Sequence, residues 1–541
     1  MITSVADLAD GEVAAIATTT PTVFVPGVVV TMPKNLEQNL PQRSAAARGD
    51  LSSLDDSAAV ENVLSCWTEV CEQCWLSGPT ILMLLLQYLT GLTVVTFVGR
   101  LGASYLAAMS MANSFVGIVG FDVLTGLSSG LETLCGQAYG AKQYHQLGIY
   151  LQRAIFVLLV VAIPICLASF YMAPILIAFG ENPAIANNAQ LYGRCLLPCI
   201  LAFAFMMPLV KFCQSQRIVV PLMWCAAAAC LLQFPLCFLL ITKLNWGYKG
   251  GAVAMSVSTI LDTVILVTIL RFSPKCKKSF TSLSLEALHD LRGFFKLAVP
   301  SALMMCLELW MFQILTLLAG LLPNTEIEMA AFVIGLSLFA LSRMISVGLS
   351  VGSSVRVSNE LGAGQPHAAR FAAVVSMVMV IVVGLVMAVI VLFLRNVWGS
   401  AFSKEQEVLD RVSRSAPYLA ALGFVYCCQQ VLSGVVRGIG WQKWGVYANL
   451  GAYYGIGLPT AVVLVCMFQF DGRGLWIGML AGVVAQTVAL TIITRNAHWE
   501  NLSKEALNRI FTSESSFLST TVPLLDDKAR SLLHPCFTIQ A

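Results

Sequence analysis

Charge is what this chain has least of. Asp, Glu, Lys and Arg make up 11% of its 541 residues, where soluble domains carry roughly 25%, so it cannot clothe an ordinary water-facing surface. A net charge of +3, with no basic run interleaved with aromatics, excludes a nucleic-acid partner. The Gly-Lys-Ser/Thr end of a phosphate-binding loop is missing, and no nucleophile, base and orienting group stand together. ATP hydrolysis and covalent catalysis are therefore unsupported, and the chain reads as a non-enzyme without cofactor. Disulfide and metal frameworks are lacking too. Of 17 cysteines, most, including Cys166, Cys199, Cys230, Cys306 and Cys466, lie inside apolar runs as small core residues. Cys71 and Cys74 form a CxxC with no second pair or histidine at zinc spacing.

Apolar sequence is there in abundance. Hydrophobic residues make up 57% and mean hydropathy is +0.79, the composition of a polytopic membrane protein. Residues 1 to about 60 mix Pro, Thr, Ser and charge. Asp7, Asp10 and Glu12 argue against a basic leader, so this stretch reads as a disordered cytosolic tail. Val60 to Leu76 has helical spacing and reads as a helix lying along the interface. From Gly78 onward twelve apolar segments follow, at 78–98, 104–131, 154–178, 192–210, 218–242, 250–271, 297–322, 328–352, 371–394, 416–436, 445–468 and 474–494. Segments of this length that satisfy their own backbone in lipid are helices. Lys142, Arg153, Lys211, Arg217, Arg356 and Arg437 follow even-numbered segments, which places both termini in the cytosol.

The chain repeats itself. GLSSGLETLCGQAYGAKQYH (126–145) matches GLSVGSSVRVSNELGAGQPH (348–367) at an offset of 222, and GPTILMLLLQ (78–87) aligns with VPSALMMCLE (299–308) at 221, setting Gln87 against Glu308. Duplication divides the chain into a first lobe at 61–272, a cytosolic linker at 273–296, a second lobe at 297–498 and a cytosolic C-terminal tail at 499–541. LSLEALHDLRGFFK within the linker reads as an amphipathic piece on the membrane surface. The expected fold is all-α, with twelve transmembrane helices in two pseudo-symmetric six-helix lobes. Substrate sites in such duplicated bundles lie near the midplane between the halves.

Within KLAVPSALMMCLELWMFQILTLLAGLL (296–322) a single acid, Glu308, stands at bilayer depth. An intramembrane carboxylate faces a partner or a wet cavity. Pro300, eight residues earlier, removes a backbone donor and can bend the helix. Glu308 is thus a proton-coupling site or a structural acid paired with a neighbouring helix. Arg343 is at similar depth in the next segment, either in an ion pair or alternation with Glu308, or as a simple buried pair or a snorkelling cation. Asp122 is a second proton or cation site or a hydrogen-bonded structural acid, and Asp262 is a weaker version of the same choice. Gln87, Tyr88, Asn113, Trp310, Gln313, Arg343, Tyr426, Gln429, Asn449, Tyr453 and Tyr454 either line a cavity for flat organic solutes or pack helices. Glu132, Gln137, Arg356, Asn359, Glu360 and Arg437 gather at cytosolic helix ends, as an interlobe latch or as substrate contacts.

GLETLCGQAYGAKQYHQLGIYLQRA (130–154), SVRVSNELGAG (354–364) and VLSGVVRGIGWQKWGVYANLGAYYGIGLP (431–459) resemble plant-type multidrug and toxic compound extrusion (MATE) transporters, from about Leu76 to His498. The resemblance implies a monomeric antiporter exchanging small organic solutes or xenobiotics for protons, in the plasma or vacuolar membrane. CLELW places Glu308 at that family's acidic cavity position. Gln313 and Tyr426 stand near positions where members often carry further acids. Two alternatives are a lipid-linked precursor flippase of similar architecture, which demands a basic central cavity, and a receptor or scaffold that has lost transport.

Overall fold

The computed structural model describes residues 51–521 apart from 275, 283, 321, 323, 324, 403, 404 and 469. Residues 1–63 and 64–541 form two units. Of the first, only 51–63 are described, and they are helical; the tail expected over 1–50 lies outside the described residues. Among the described residues of the second unit, twelve helices are long and apolar enough to cross a bilayer. They are α1 Ser65–Gly99, α2 Ala103–Gly140, α3 Tyr144–Phe170, α4 Leu197–Ser215, α5 Val220–Lys243, α6 Tyr248–Phe272, α7 Leu291–Ala319, α8 Glu326–Gly362, α9 Pro366–Leu394, α10 Gln406–Ile439, α11 Gln442–Cys466 and α12 Arg473–Arg495. A further helix, α13, spans Trp499–Thr521.

Each expected segment has its helix, but several helices run well past the apolar sequence. α2, α8 and α10 continue through Glu132, Arg356 and Arg437 because those charges are answered by other helices. The stretch expected to lie along the interface is instead continuous with the first span: residues 65–76 are the opening turns of α1. Its polar residues Glu69 and Gln73 are buried, engaged with α8 and α9. The amphipathic piece of the linker also divides. Leu285–Leu288 is a short 3-10 turn, tied to α3 where Arg153 Nε donates to the Ala287 carbonyl at 3.1 Å. From Leu291 the chain is already α7, with Phe294 in the core. Residues 499–511, expected as tail, belong to α13, whose Leu502, Ala506 and Ile510 are buried.

Two lobes, α1–α6 and α7–α12, meet along a seam that obeys the sequence repeat. A Cβ on Gly126 or Gly130 of α2 would strike the backbone of Ala302 or Ala298 of α7. At the symmetric positions, a Cβ on Gly348 or Gly352 of α8 would strike Ile81 or Ser77 of α1. The pairs correspond under the offsets of 222 and 221, as a two-fold axis between the lobes requires. On that axis Gly136 abuts Ser358, its own repeat mate, while Gly140 abuts Asn359 and Gly362 abuts Gln137. Small residues permit this approach where lipid offers no hydrophobic drive between helices.

The same crossing divides α7 between cores. Phe294, Leu297, Ala298 and Ala302 pack in the first lobe's apolar core, whereas Met311, Leu315 and Ala319 pack in the second's. Glu308 lies at the changeover. α10 is the enclosed centre of the second lobe, with 83% of its apolar stretch buried against 17% for α9. α9 therefore presents Val374, Val378, Val382, Leu385, Val386 and Val389 outward as a lipid-facing surface.

Candidate functional site

A cavity of about 480 Å³ lies between the lobes. It occupies one side of the glycine seam, where α1 and α7 have passed their crossings and α2 and α8 have yet to reach theirs. Gln87 and Tyr88 of α1, Asn113 and Asp122 of α2, Gln313 of α7 and Arg343 of α8 line it, with Phe203, Phe312 and Phe339 among its apolar walls. Asp122 is aimed by a local widening of α2, where its N–H bonds the Gly117 carbonyl five residues back. Such bulges recur at functional sites.

Glu308 sits beside this cavity, 7% exposed, and is held by α10. Tyr426 Oη donates to Oε1 at 2.7 Å, Gln429 Nε2 to Oε2 at 3.4 Å, and Gln430 makes a shorter contact to Oε1. Residues 426, 429 and 430 fall on one helical face, which is why one helix supplies all three donors. A hollow of about 40 Å³ adjoins the carboxylate and is bordered by Arg343, Met305, Lys211, Glu132 and Arg437. A water needs roughly 10–15 Å³ of such space, so a few fit. The expected ion pair between Glu308 and Arg343 is absent: Glu308 has no cation within 4.0 Å among the described ion pairs, and the three neutral donors take that place. Arg343 instead borders three hollows, the third of about 410 Å³ in the first lobe beside Asp262.

Other expected cavity residues lie elsewhere. Trp310, Gln429, Asn449, Tyr453 and Tyr454 are not among the residues lining the central cavity. Asn449 Nδ2 donates to the Met304 carbonyl at 2.6 Å and its Oδ1 accepts from Gln486 Nε2 at 2.5 Å, which braces α7, α11 and α12. Tyr454 Oη bonds the Leu307 carbonyl at 3.0 Å. Tyr453 is fully buried in the second lobe's core, and the Trp310 indole N–H is buried without a hydrogen-bond partner among the described residues.

Across the seam from the cavity, the expected latch residues come together with others that their sequence positions did not single out. Glu132 accepts from Lys211 Nζ at 2.6 Å and from Arg437 Nε at 3.0 Å, the latter across the lobes. Arg356 forks onto Glu69, at 2.9 and 2.5 Å, and reaches Glu360 at 2.7 Å. Glu360 is also 3.8 Å from Arg217. Asn359 Nδ2 bonds the Ser215 carbonyl at 3.3 Å, and Gln137 Nε2 the Gly438 carbonyl at 3.3 Å. Thr133 donates to the Arg437 carbonyl at 2.5 Å and accepts from Gln442 Nε2 at 2.7 Å. Arg509 of α13 donates to Gln137 Oε1 at 2.7 Å. Buried ions are tolerable only when paired and hydrogen-bonded, and this network satisfies its charges by joining the two lobes.

Twelve apolar helices in two related lobes, closed at one end and hollow between them, make this an integral membrane protein of a transporter fold. The MatE family model matches twice, over residues 79–239 and 300–463, once in each lobe. The chain belongs to the MATE family of transporters. Protein DETOXIFICATION 16 of Arabidopsis thaliana is 43% identical over 447 residues, covering 83% of this chain and 92% of that one. Protein DETOXIFICATION 17 of the same plant is 41% identical over 446 residues, with 82% and 94% covered. Among solved structures, the eukaryotic MATE transporter AtDTX14 superposes with a TM-score of 0.79 at 37% identity, covering 82% of this chain and 99% of that one. Its relatives make this a detoxification-type MATE transporter, in a family that moves small organic substrates.

Proposed function

We propose that this protein is a proton-coupled antiporter that moves organic solutes or xenobiotics out of the cytosol, acting as a monomer in the plasma or vacuolar membrane. Glu308 is the observation that carries the reading. Its carboxylate is held by neutral donors rather than a fixed cation, next to a hollow with room for a few waters. A neutralised acid there no longer needs three donors from α10, so a proton changes the packing of α7 against α10 at the point where α7 passes between the lobes. Tyr426 supplies a phenol beside Glu308 rather than a second carboxylate, so this cluster loads one proton. Asp122, on the central cavity, is the candidate for a second.

The excess of Lys and Arg in loops after even-numbered helices puts both termini and the latch in the cytosol. The conformation is then outward-facing, with its cavity on the side away from the cytosol. A lipid-linked precursor flippase is less well supported, because Lys211 is neutralised by Glu132 and the remaining cavity charges, Asp122 and Arg343, balance. The test is transport by the purified protein in vesicles, over a panel of organic cations and anions, with pH and sodium gradients imposed separately. Uptake driven by the pH gradient and lost in Glu308→Gln supports the reading. Equal uptake by both proteins, or uptake driven by sodium alone, rejects proton coupling through Glu308; no uptake in any arm favours a receptor or scaffold.

A further inference from the structure

Among the described cysteines four are exposed, Cys66, Cys71, Cys74 and Cys466, and three of these stand together in the opening turns of α1. Those turns have two unlike faces. Glu69, Gln73, Leu76, Ser77 and Thr80 are buried; Glu69 is held by Arg356 of α8, and Gln73 donates to the Ala372 carbonyl of α9. The opposite face carries Trp67, Cys71, Cys74 and Trp75, where steps of three and four residues keep side chains on one side of a helix. Trp67 is 65% exposed and Trp75 62%, and the two exposed thiols lie between them. The same side continues along the apolar span as Leu82, Leu89 and Leu92, all exposed, so it is the lipid-facing side of α1. The apolar run begins at Gly78. At ~1.5 Å per residue Cys74 stands about 6 Å, and Cys71 about 10 Å, ahead of it. That is the level of the headgroups, which widen a bilayer from ~30 Å of hydrocarbon to ~40–45 Å, and where exposed tryptophans are at home.

We propose that Cys71 and Cys74 are S-acylation sites, each taking a long-chain fatty acyl group as a thioester. The cysteine sulfur attacks the carbonyl carbon of a long-chain acyl-coenzyme A brought by a membrane acyltransferase. A new C–S bond replaces the one to coenzyme A, which leaves as its thiol with the proton that the cysteine gave up. Cysteines beside a membrane span are natural acceptors for this reaction, whereas thiols buried in a core are out of reach. A chain attached at either position starts at the bilayer surface and runs beside Leu82 into lipid. Cys66 is exposed as well, but it lies more than a turn further from the apolar run and is rotated away from Trp67, Cys71 and Trp75, so it stays a free thiol. Twelve spans already anchor the protein, and the effect of the acyl chains is local. They hold the outer face of these turns to the membrane while the inner face keeps Glu69 on Arg356. This goes beyond the transport reading and rests only on its placement of the latch end in the cytosol, where acyl-coenzyme A is found.

The experiment is acyl exchange on the full-length protein expressed in plant cells. Free thiols are blocked with N-ethylmaleimide, thioesters are opened with neutral hydroxylamine, and the thiols so released are tagged with a maleimide-polyethylene glycol that retards the band on a gel. Cys71→Ser and Cys74→Ser should each lose one hydroxylamine-dependent tag, the double variant should lose both, and Cys66→Ser should lose none. Alanine at the same two positions gives a second, independent reading if a serine variant fails to accumulate. No hydroxylamine-dependent tag, a tag pattern unchanged in the double variant, a tag lost on Cys66→Ser, or tags released by a reductant alone, as from a disulfide, overturns the proposal. The cytosolic placement is read separately with a membrane-impermeant maleimide. The label that is lost on Cys66→Ser should appear only after digitonin has opened the plasma membrane. Label before opening, or none after it, overturns that placement and the proposal together, whereas correct placement without thioester tags overturns the proposal alone. Transport enters none of these readouts.

Discussion

The two lobes share one plan and fill it differently. In the second lobe the acid at the middle of α7 is enclosed by Tyr426, Gln429 and Gln430, leaving a hollow of about 40 Å³. In the first, the position aligned with Glu308 is Gln87 of α1, an amide bordering both the central cavity and a hollow of about 410 Å³. Pro79 and Pro300 lie within their helices at equivalent places, and the seam glycines correspond pair by pair. Duplication has therefore preserved the surfaces through which the lobes touch, where a single Cβ would part them. It has not preserved the interiors, where any set of side chains that fills space and satisfies its polar atoms is admissible.

The largest effect expected from breaking this comparison is at Glu308. Glu308→Gln should abolish pH-gradient-driven uptake while leaving exchange of labelled for unlabelled solute, which needs no net proton movement. Adding Gln87→Glu to that variant should not restore coupled uptake, because among the described residues no tyrosine or glutamine hydrogen-bonds that side chain as Tyr426 and Gln429 do Glu308. Restoration would mean the lobes are interchangeable after all. Both are read in the same vesicle assay.

Next is the latch. Glu132→Gln leaves Lys211 and Arg437 buried without their anion, and loss of one partner of a buried ionic cluster costs about 3–5 kcal/mol. Thermal unfolding in detergent should show a lower midpoint, and cysteine labelling at the latch should rise. Gly136→Leu tests the seam itself: its side chain meets Ser358, so a cysteine placed at 358 should become more accessible from the latch end. Unchanged labelling would mean the lobes are not held there. The smallest effect belongs to Arg509→Gln. It removes one charge-assisted hydrogen bond to Gln137, worth about 1.5–3 kcal/mol, and should raise labelling at the latch and lower the unfolding midpoint by less than Glu132→Gln does.

Much of this was legible in the residues alone, for identifiable reasons. Lipid allows few backbone solutions, so a run of some twenty apolar residues announces a helix wherever it occurs, and the repeat from Gly126 onward announces the symmetry. Glu308 and Asp122 drew notice because an acid at bilayer depth needs an explanation. Glu69 and Gln73 could not be placed in this way, since polar residues ahead of an apolar run look the same whether they face water or a partner helix some 300 residues away. The same limit hid Arg509 and made Asn449 and Tyr453 resemble cavity residues.

The sequence by itself determined the number of membrane-crossing helices, their pairing into two lobes and the few charged positions that lie in the membrane. Only the tertiary structure decided how each charge is answered: Glu308 by neutral donors, Glu132 by cations from both lobes, and Asp122 and Arg343 by no direct hydrogen bond or ion pair among the described residues. Hydropathy acts locally, along a stretch of chain, whereas satisfaction of a buried charge depends on atoms within about 4 Å in space, and these belong to helices far apart in sequence.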